Sequence, residues 1–170
     1  YQAFEEALCK ETGAKIAVAH NRNDRAETML FHLFRGSGLK GLGSIRPVRE
    51  RVIRPLLCLE RKEIEAYLSE KKMSYCMDST NYEDTYTRNK IRHQILAYAD
   101  AHICQNAVAH VGDAAEILAQ ADDFITKQTI LACDRCVIAQ EESETAINLA
   151  AFREEDIFIQ KMIRSHCFPP

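Results

Sequence analysis

Residues 19–28 hold a histidine and two carboxylates at a spacing that suits acid–base or metal chemistry. The segment reads Ala19-His-Asn-Arg-Asn-Asp-Arg-Ala-Glu-Thr28, so Asp24 and Glu27 lie three residues apart, after His20. In a helix, that spacing places both carboxylates on one face. A histidine and two carboxylates held together in this way can contact a ligand or exchange protons with it.

The flanking residues predict a strand before this segment and a helix within it. The short apolar run 15–19 is typical of a strand covered on both faces. The run 29–34 predicts a helix, which we expect to begin near Asp24, with Asp24 and Glu27 forming a capping box. In open α/β sheets, ligands bind where a strand ends and the next helix begins. The alternative is that both acids only stabilise the helix start.

The rest of the chain predicts further α/β structure, followed by helices. Gly13 should end a first helix, and the composition changes near residue 99 from basic α/β to acidic and mostly helical. We therefore predict two domains, 1–98 and 99–170. The predicted helices cover residues 4–11, 60–72, 86–98, 107–125 and 157–166, and the further strands lie within 46–57, 137–139 and 145–149.

Positive charge is concentrated beside the predicted ligand crevice. Residues 35–62 contain eight Lys or Arg and two Glu, a local net charge of +6, whereas the remainder carries −9. Such a zone suits a polyanion such as nucleic acid or a nucleotide phosphate, or it is a solvated loop. Residues 35–42, Arg-Gly-Ser-Gly-Leu-Lys-Gly-Leu, contain three glycines that let backbone N–H groups approach an anion, or form an ordinary flexible loop.

Cysteine usage indicates reduced thiols. The seven cysteines are odd in number and scattered, unlike a secreted disulfide framework, so we expect a cytoplasmic protein. Cys133 and Cys136 form the only C-x-x-C pair, for which free thiols are our interpretation and a zinc or redox role the alternative. We assign no metal-ligand set, and no apolar run approaches the length of a transmembrane helix.

Three separated segments together resemble the PP-loop ATP pyrophosphatases that modify tRNA. Residues 19–28 resemble the family's A-H-H-x-x-D-Q-x-E-T segment, and residues 35–42 and 54–64 resemble the segments that follow it. Residues 78–92 (Asp-Ser-Thr-Asn, then Asp84 and Arg-Asn-x-Ile-Arg) are similar to its D-x-[ST]-N…D…RN-x-[IL]-R block. The order and spacing resemble the tRNA(Ile)-lysidine synthetases over residues 1 to about 98, and residues 103–166 resemble that family's helical substrate-binding domain.

The resemblance implies a fold and a chemistry. The fold is α/β, the C-terminal part of a PP-loop parallel-sheet domain followed by a mainly helical, tRNA-binding domain. The reaction adenylates C2 of the wobble cytidine of tRNA(Ile) with a CAU anticodon, using ATP and Mg²⁺, and L-lysine then displaces AMP. The implied catalytic residues are Asp24, Glu27 and Arg88. The implied substrate- or tRNA-binding residues are His20, Arg35, Gly36, Ser37, Gly38, Lys40, Arg54, Asn81, Asn89 and Arg92.

The sequence departs from the family pattern in two ways. The S-G-G-x-D-S phosphate loop is absent from the 170 residues, so we expect a fragment that is inactive alone. The family often has His, Asp and Gln where this chain has Asn21, Asn23 and Arg25. Asn23 removes one carboxylate of the usual acidic pair, which shifts the expected catalytic role onto Asp24.

Two other functions stay open on the sequence alone. One is a tRNA-thiolating PP-loop enzyme, which would use catalytic or cluster cysteines. The other is a non-catalytic RNA-binding module, whose tRNA binding would depend on salt. The sequence also leaves open whether the protein is a homodimer.

Overall fold

The computed structural model describes residues 13–43, 45–76, 87–140 and 144–167. Helices dominate these ranges, and the sheets are small. The helices are α1 (Arg22–Phe34), α2 (Leu39–Leu42), α3 (Arg61–Glu70), α4 (Thr87–Lys90), α5 (Ala97–His102), α6 (Ala107–Cys136), α7 (Leu149–Glu154) and α8 (Ile157–Cys167). A π-helical segment, Ile91–Leu96, joins α4 to α5. The strands are β1 (Ile16–Ala17), β2 (Val48–Arg49), β3 (Val52–Ile53), β4 (Val137–Gln140) and β5 (Thr145–Ile147).

Strand β1 is paired on one edge and covered on one face. It runs parallel to β3, with Ile16 opposite Val52, and β3 pairs antiparallel with β2, giving the order β1-β3-β2. Burial alternates along residues 13–20: Ile16 is half-buried and Ala17 is exposed. Alternate residues of a strand point to opposite faces. The prediction of a strand covered on both faces is therefore wrong for the described residues.

Helix α1 begins two residues earlier than predicted. Asn21 is the N-cap, in extended conformation (φ −118°, ψ −175°). Its side-chain oxygen accepts the Asp24 backbone N–H (3.1 Å), and the Asp24 carboxylate accepts the Asn21 N–H (2.9 Å). The capping box is real, but its partners are Asn21 and Asp24 rather than Asp24 and Glu27. Asn is as good an N-cap as Asp, and Asn21 is the last extended residue before the helix.

The first of two compact units ends at Ala119 and has its core against α1. Ala26 of α1 packs with Ile91 and Leu96 of the π-helical segment, and four half-buried residues surround them: Leu30, Phe31, Val108 and Val111. The predicted helix over residues 86–98 is confirmed for its described part, which begins at Thr87, and it extends to His102. Leu33 and Phe34, the last residues of the apolar run 29–34, are exposed on the last turn of α1.

The second unit begins at Gln120. Its core joins α6, α7 and α8 through Ala132, Cys136, Phe152, Ile163 and Cys167. The predicted strand pair is confirmed, since β4 and β5 are antiparallel. The assignment of domains 1–98 and 99–170 stays a prediction. Within the described ranges, no helix is both long and apolar enough to cross a membrane.

Candidate active site

A buried carboxylate–guanidinium pair connects α1 to the π-helical segment. Arg92, in the π-helical segment, donates from Nε to Glu27 Oε1 (2.6 Å) and from Nη2 to Glu27 Oε2 (3.0 Å). The Glu27 side chain is only 2% exposed, whereas that of Asp24 is 23% exposed, with its Oδ1 3.8 Å from Arg92 Nη2. Hydrogen bonding to Glu27 raises the pKa of Arg92, which stays charged. Asp24 is therefore the accessible carboxylate of the two predicted ones.

His20 lies near the end of the segment that leads from β1 to α1, and a hydrogen bond from Arg54 determines which ring nitrogen carries the proton. Arg54 Nε donates to His20 Nδ1 (3.0 Å), while Arg54 Nη1 donates to the Arg46 carbonyl (2.8 Å). A guanidinium has only donors, so Nδ1 must be unprotonated and the neutral ring carries its proton on Nε2. His20 therefore offers a ligand an N–H donor.

The pKa of His20 is expected to lie below its usual value of about 6.5 and to rise when Arg54 is replaced. Burial lowers this pKa first; Asp24 opposes the effect, and the Arg54 and Arg88 guanidiniums add to it. The neutral ring is favoured in the fold, so its stabilising contribution is present above pH 6.5 and is lost as pH falls through the lowered pKa. An NMR titration should show a higher His20 pKa in Arg54→Met, and the wild-type value in Lys40→Met. A His20 pKa unchanged by Arg54→Met would contradict the assignment.

Two further predicted residues lie on α4. Arg88 is exposed, and its Nη2 donates to Thr28 Oγ1 of α1 (3.3 Å). Asn89 is buried. Arg88 thus reaches the same helix as Asp24 and Glu27. Asn81, the remaining predicted residue of this block, lies outside the described residues.

Asn23, which stands where the family often has an acid, has a structural role. Its side-chain oxygen accepts the Arg61 backbone N–H at the first residue of α3 (2.9 Å). The Arg22 N–H nearby donates to the Leu59 carbonyl (2.8 Å). These bonds tie the start of α1 to the start of α3, and the amide satisfies a helix N–H that would otherwise lack a partner.

The glycine loop lies at the opposite end of α1. Helix α1 has 13 residues, so its ends are about 20 Å apart. Gly36 adopts a positive φ of 72°, and a side chain at Gly36 or Gly38 would meet nothing within 4 Å. Arg35 stacks over the Phe31 ring (5.0 Å), Ser37 Oγ is 3.4 Å from His32 Nδ1, and Lys40 is exposed. The structure does not bring these residues together with Asp24.

Sequence reasoning missed two arginines that tie α1 to α6. Arg22 pairs with Asp113, and Arg25 Nη1 pairs with Glu116 Oε2 (2.8 Å). A signal was available: the two arginines and the two acids have the same spacing of three, each on one predicted helix.

The C-x-x-C pair lies in the core of the second unit. Burial raises the pKa of Cys133 to about 11, with the Cys167 thiol 3.8 Å away adding to the effect, and burial also raises the pKa of Cys136. Both are free thiols. The described residues contain no group of three or more His, Cys, Asp or Glu able to hold a metal. Protonated, buried thiols are poor nucleophiles and metal ligands.

Comparison with known proteins places the chain in a family. A family model of the PP-loop domain matches residues 1–99, more than half of the chain, and the chain belongs to that family. This confirms the resemblance recognised in residues 19–28.

Curated relatives named tRNA(Ile)-lysidine synthase are similar to the chain. That of Caldanaerobacter subterraneus subsp. tengcongensis is 49% identical over 125 residues, covering 74% of this chain and 27% of the relative. That of Clostridium perfringens is 34% identical over 169 residues, covering 99% and 36%. That of Bacteroides thetaiotaomicron is 52% identical over 97 residues, covering 56% and 22%. The chain thus spans about a third or less of the length of these relatives.

Proposed function

We propose that the complete protein containing this chain ligates L-lysine to C2 of the wobble cytidine of tRNA(Ile) bearing a CAU anticodon. ATP first adenylates the cytidine, and the lysine amine then displaces AMP to leave lysidine. The proposal extends the names of the relatives to this chain. The observation that carries it is the accessible Asp24 carboxylate, next to Arg92 at the start of α1, within the matched family segment.

The hydrogen bonds and exposure of the residues near Asp24 support a proposed role for each of them. Asp24 would hold the lysine ammonium and assist its loss of a proton, because its carboxylate is partly exposed. The His20 Nε2–H would donate to a phosphate or carbonyl oxygen. Arg88 would contact phosphate or the cytidine. Glu27 and Arg92 are bound to each other, so we propose that they support the site rather than react.

Mg²⁺ is expected with ATP, and the residues fit it to a limited extent. Mg²⁺ is usually held by one or two carboxylates together with substrate phosphates. Asp24 could supply one such carboxylate, whereas both Glu27 oxygens are taken by Arg92. The ion would neutralise phosphate charge during adenylation.

We propose that tRNA contacts the part of the basic zone that follows α1, at the opposite end of that helix from Asp24. Arg35 and Lys40 are exposed there, beside Gly36, Ser37 and Gly38. Such a protein would work in the cytoplasm. The parallel-sheet domain followed by a mainly helical domain is the architecture that we propose for this part of the protein.

A direct assay tests the proposal. The complete polypeptide is incubated with a CAU-anticodon tRNA(Ile) transcript, ATP, Mg²⁺ and lysine, and the nucleosides are analysed by mass spectrometry. Lysidine should form, and omitting ATP or lysine should abolish it. A transcript that differs only in having U at the wobble position is the matched control and should remain unmodified. A thiolated product, or tRNA binding without ATP-dependent product, would contradict the proposal.

A further inference from the structure

Two ion pairs, one after the other along the helices, connect α1 and α6. Arg22 pairs with Asp113, and Arg25 pairs with Glu116 at 2.8 Å. From the first pair to the second, the residue number increases by three on both helices. The two helices therefore run parallel here, and the two pairs are about 4.5 Å apart along them. One helix could not slide along the other by a turn without breaking both pairs.

In the second pair the arginine is buried, whereas the Glu116 side chain is 51% exposed. Arg25 is only 6% exposed, and Glu116 is the carboxylate that pairs with it among the described residues. The Nε of Arg25 is buried and has no acceptor in the described ranges. Removing Glu116 would leave the buried Arg25 guanidinium without this counter-charge, so the pair favours the position of α1 in which α6 presents Glu116 to Arg25.

Close backbone contacts reinforce the same alignment. A Cβ at Gly112 of α6 would lie 3.0 Å from Arg22 Cγ, so the Arg22 side chain packs directly against the glycine. A Cβ at Gly43, at the end of α2, would lie 2.6 Å from the Ala119 Cα. Both ends of the α1–α2 segment therefore contact α6 closely at a glycine, and at Gly43 the contact with the Ala119 backbone leaves no room for a side chain.

Val108 and Val111 of α6 pack against the core formed by Ala26, Ile91 and Leu96, so α6 also contacts the segment that carries Arg92. We infer that the Arg22–Asp113 and Arg25–Glu116 pairs set the position of α1 along α6 and so place Asp24 and Glu27 opposite Arg92. Asp24 lies between Arg22 and Arg25 in the sequence, and its carboxylate is 3.8 Å from Arg92 Nη2. Arg25 and Glu116 are thus positioning residues, which act through α1 and need not touch substrate. The kinetic consequence rests on the proposed function, whereas the structural one does not.

A charge swap in the complete polypeptide tests the inference. Glu116→Arg and Arg25→Glu should each lower kcat for lysidine formation by about tenfold or more, with KM for ATP changed less than about twofold. The double variant restores opposite charges and should recover most of kcat. Glu70→Arg, the same substitution at an exposed residue of α3, is the matched control and should leave kcat unchanged.

Hydrogen exchange of the α1 amides gives a readout that does not need activity. Each single variant should lose protection in α1, and the double variant should regain it. Loss of stability with kcat of the folded fraction unchanged would overturn the positioning role, as would additive effects in the double variant. If the wild type forms no lysidine, the proposed function fails. The exchange pattern then still supports or overturns the alignment of α1.

Discussion

Replacing Arg92 with leucine should destabilise the protein by about 3–5 kcal/mol, because it leaves Glu27 charged and buried without a partner. Arg92 holds both Glu27 oxygens, and the Glu27 side chain is 2% exposed, so water cannot replace the guanidinium without opening the core. Urea unfolding followed by circular dichroism measures the loss, with the first unit's transition moving to lower denaturant.

Two variants separate the cost of an orphaned charge from the cost of losing an arginine. The double variant Glu27→Leu/Arg92→Leu removes both charges and should be more stable than Arg92→Leu alone. Arg88→Leu, one helical turn earlier, removes an exposed arginine that among the described residues bonds to Thr28 (3.3 Å), and it should cost about 1 kcal/mol or less. If the double variant is the least stable of the three, the pair stabilises the fold directly and our interpretation fails.

Local patterns in the sequence predicted the elements of this region well. The strand before residue 20, the helix after it and the glycine turn follow from apolar runs, a polar helix start and glycines. The capping box was also foreseen, but with Asp24 as the cap, because Asn21 and Asp24 are both good N-caps and propensity cannot rank them. Only the extended backbone at Asn21 decides between them.

The partners of the site residues could not be predicted in the same way. Glu27 and Arg92 are 65 residues apart, and Arg25 and Glu116 are 91 apart. Helical spacing tells which side chains share a face, but not which distant helix meets that face. Arg54 shows the same limit: the resemblance implied a role in substrate or tRNA binding, which stays a prediction, whereas its bond to His20 Nδ1 could not be foreseen. Asn23 likewise gained its role only when α3 reached α1.

Asp24→Asn should reduce kcat/KM for lysidine formation by about 10²–10⁴-fold while the fold stays intact. The variant separates the two roles of this carboxylate. As a cap it accepts the Asn21 N–H (2.9 Å), and an amide oxygen can accept the same bond, so the loss of stability should be below about 1 kcal/mol. As a charge near Arg92 and open to solvent, it has no neutral substitute, because an amide can neither hold the lysine ammonium as a counter-ion nor take its proton.

Asp134→Asn, an exposed aspartate on α6, is the matched control and should retain full activity. Full activity in Asp24→Asn would reduce Asp24 to a helix cap. Another carboxylate would then have to receive the lysine, and Glu27 could do so only by giving up Arg92.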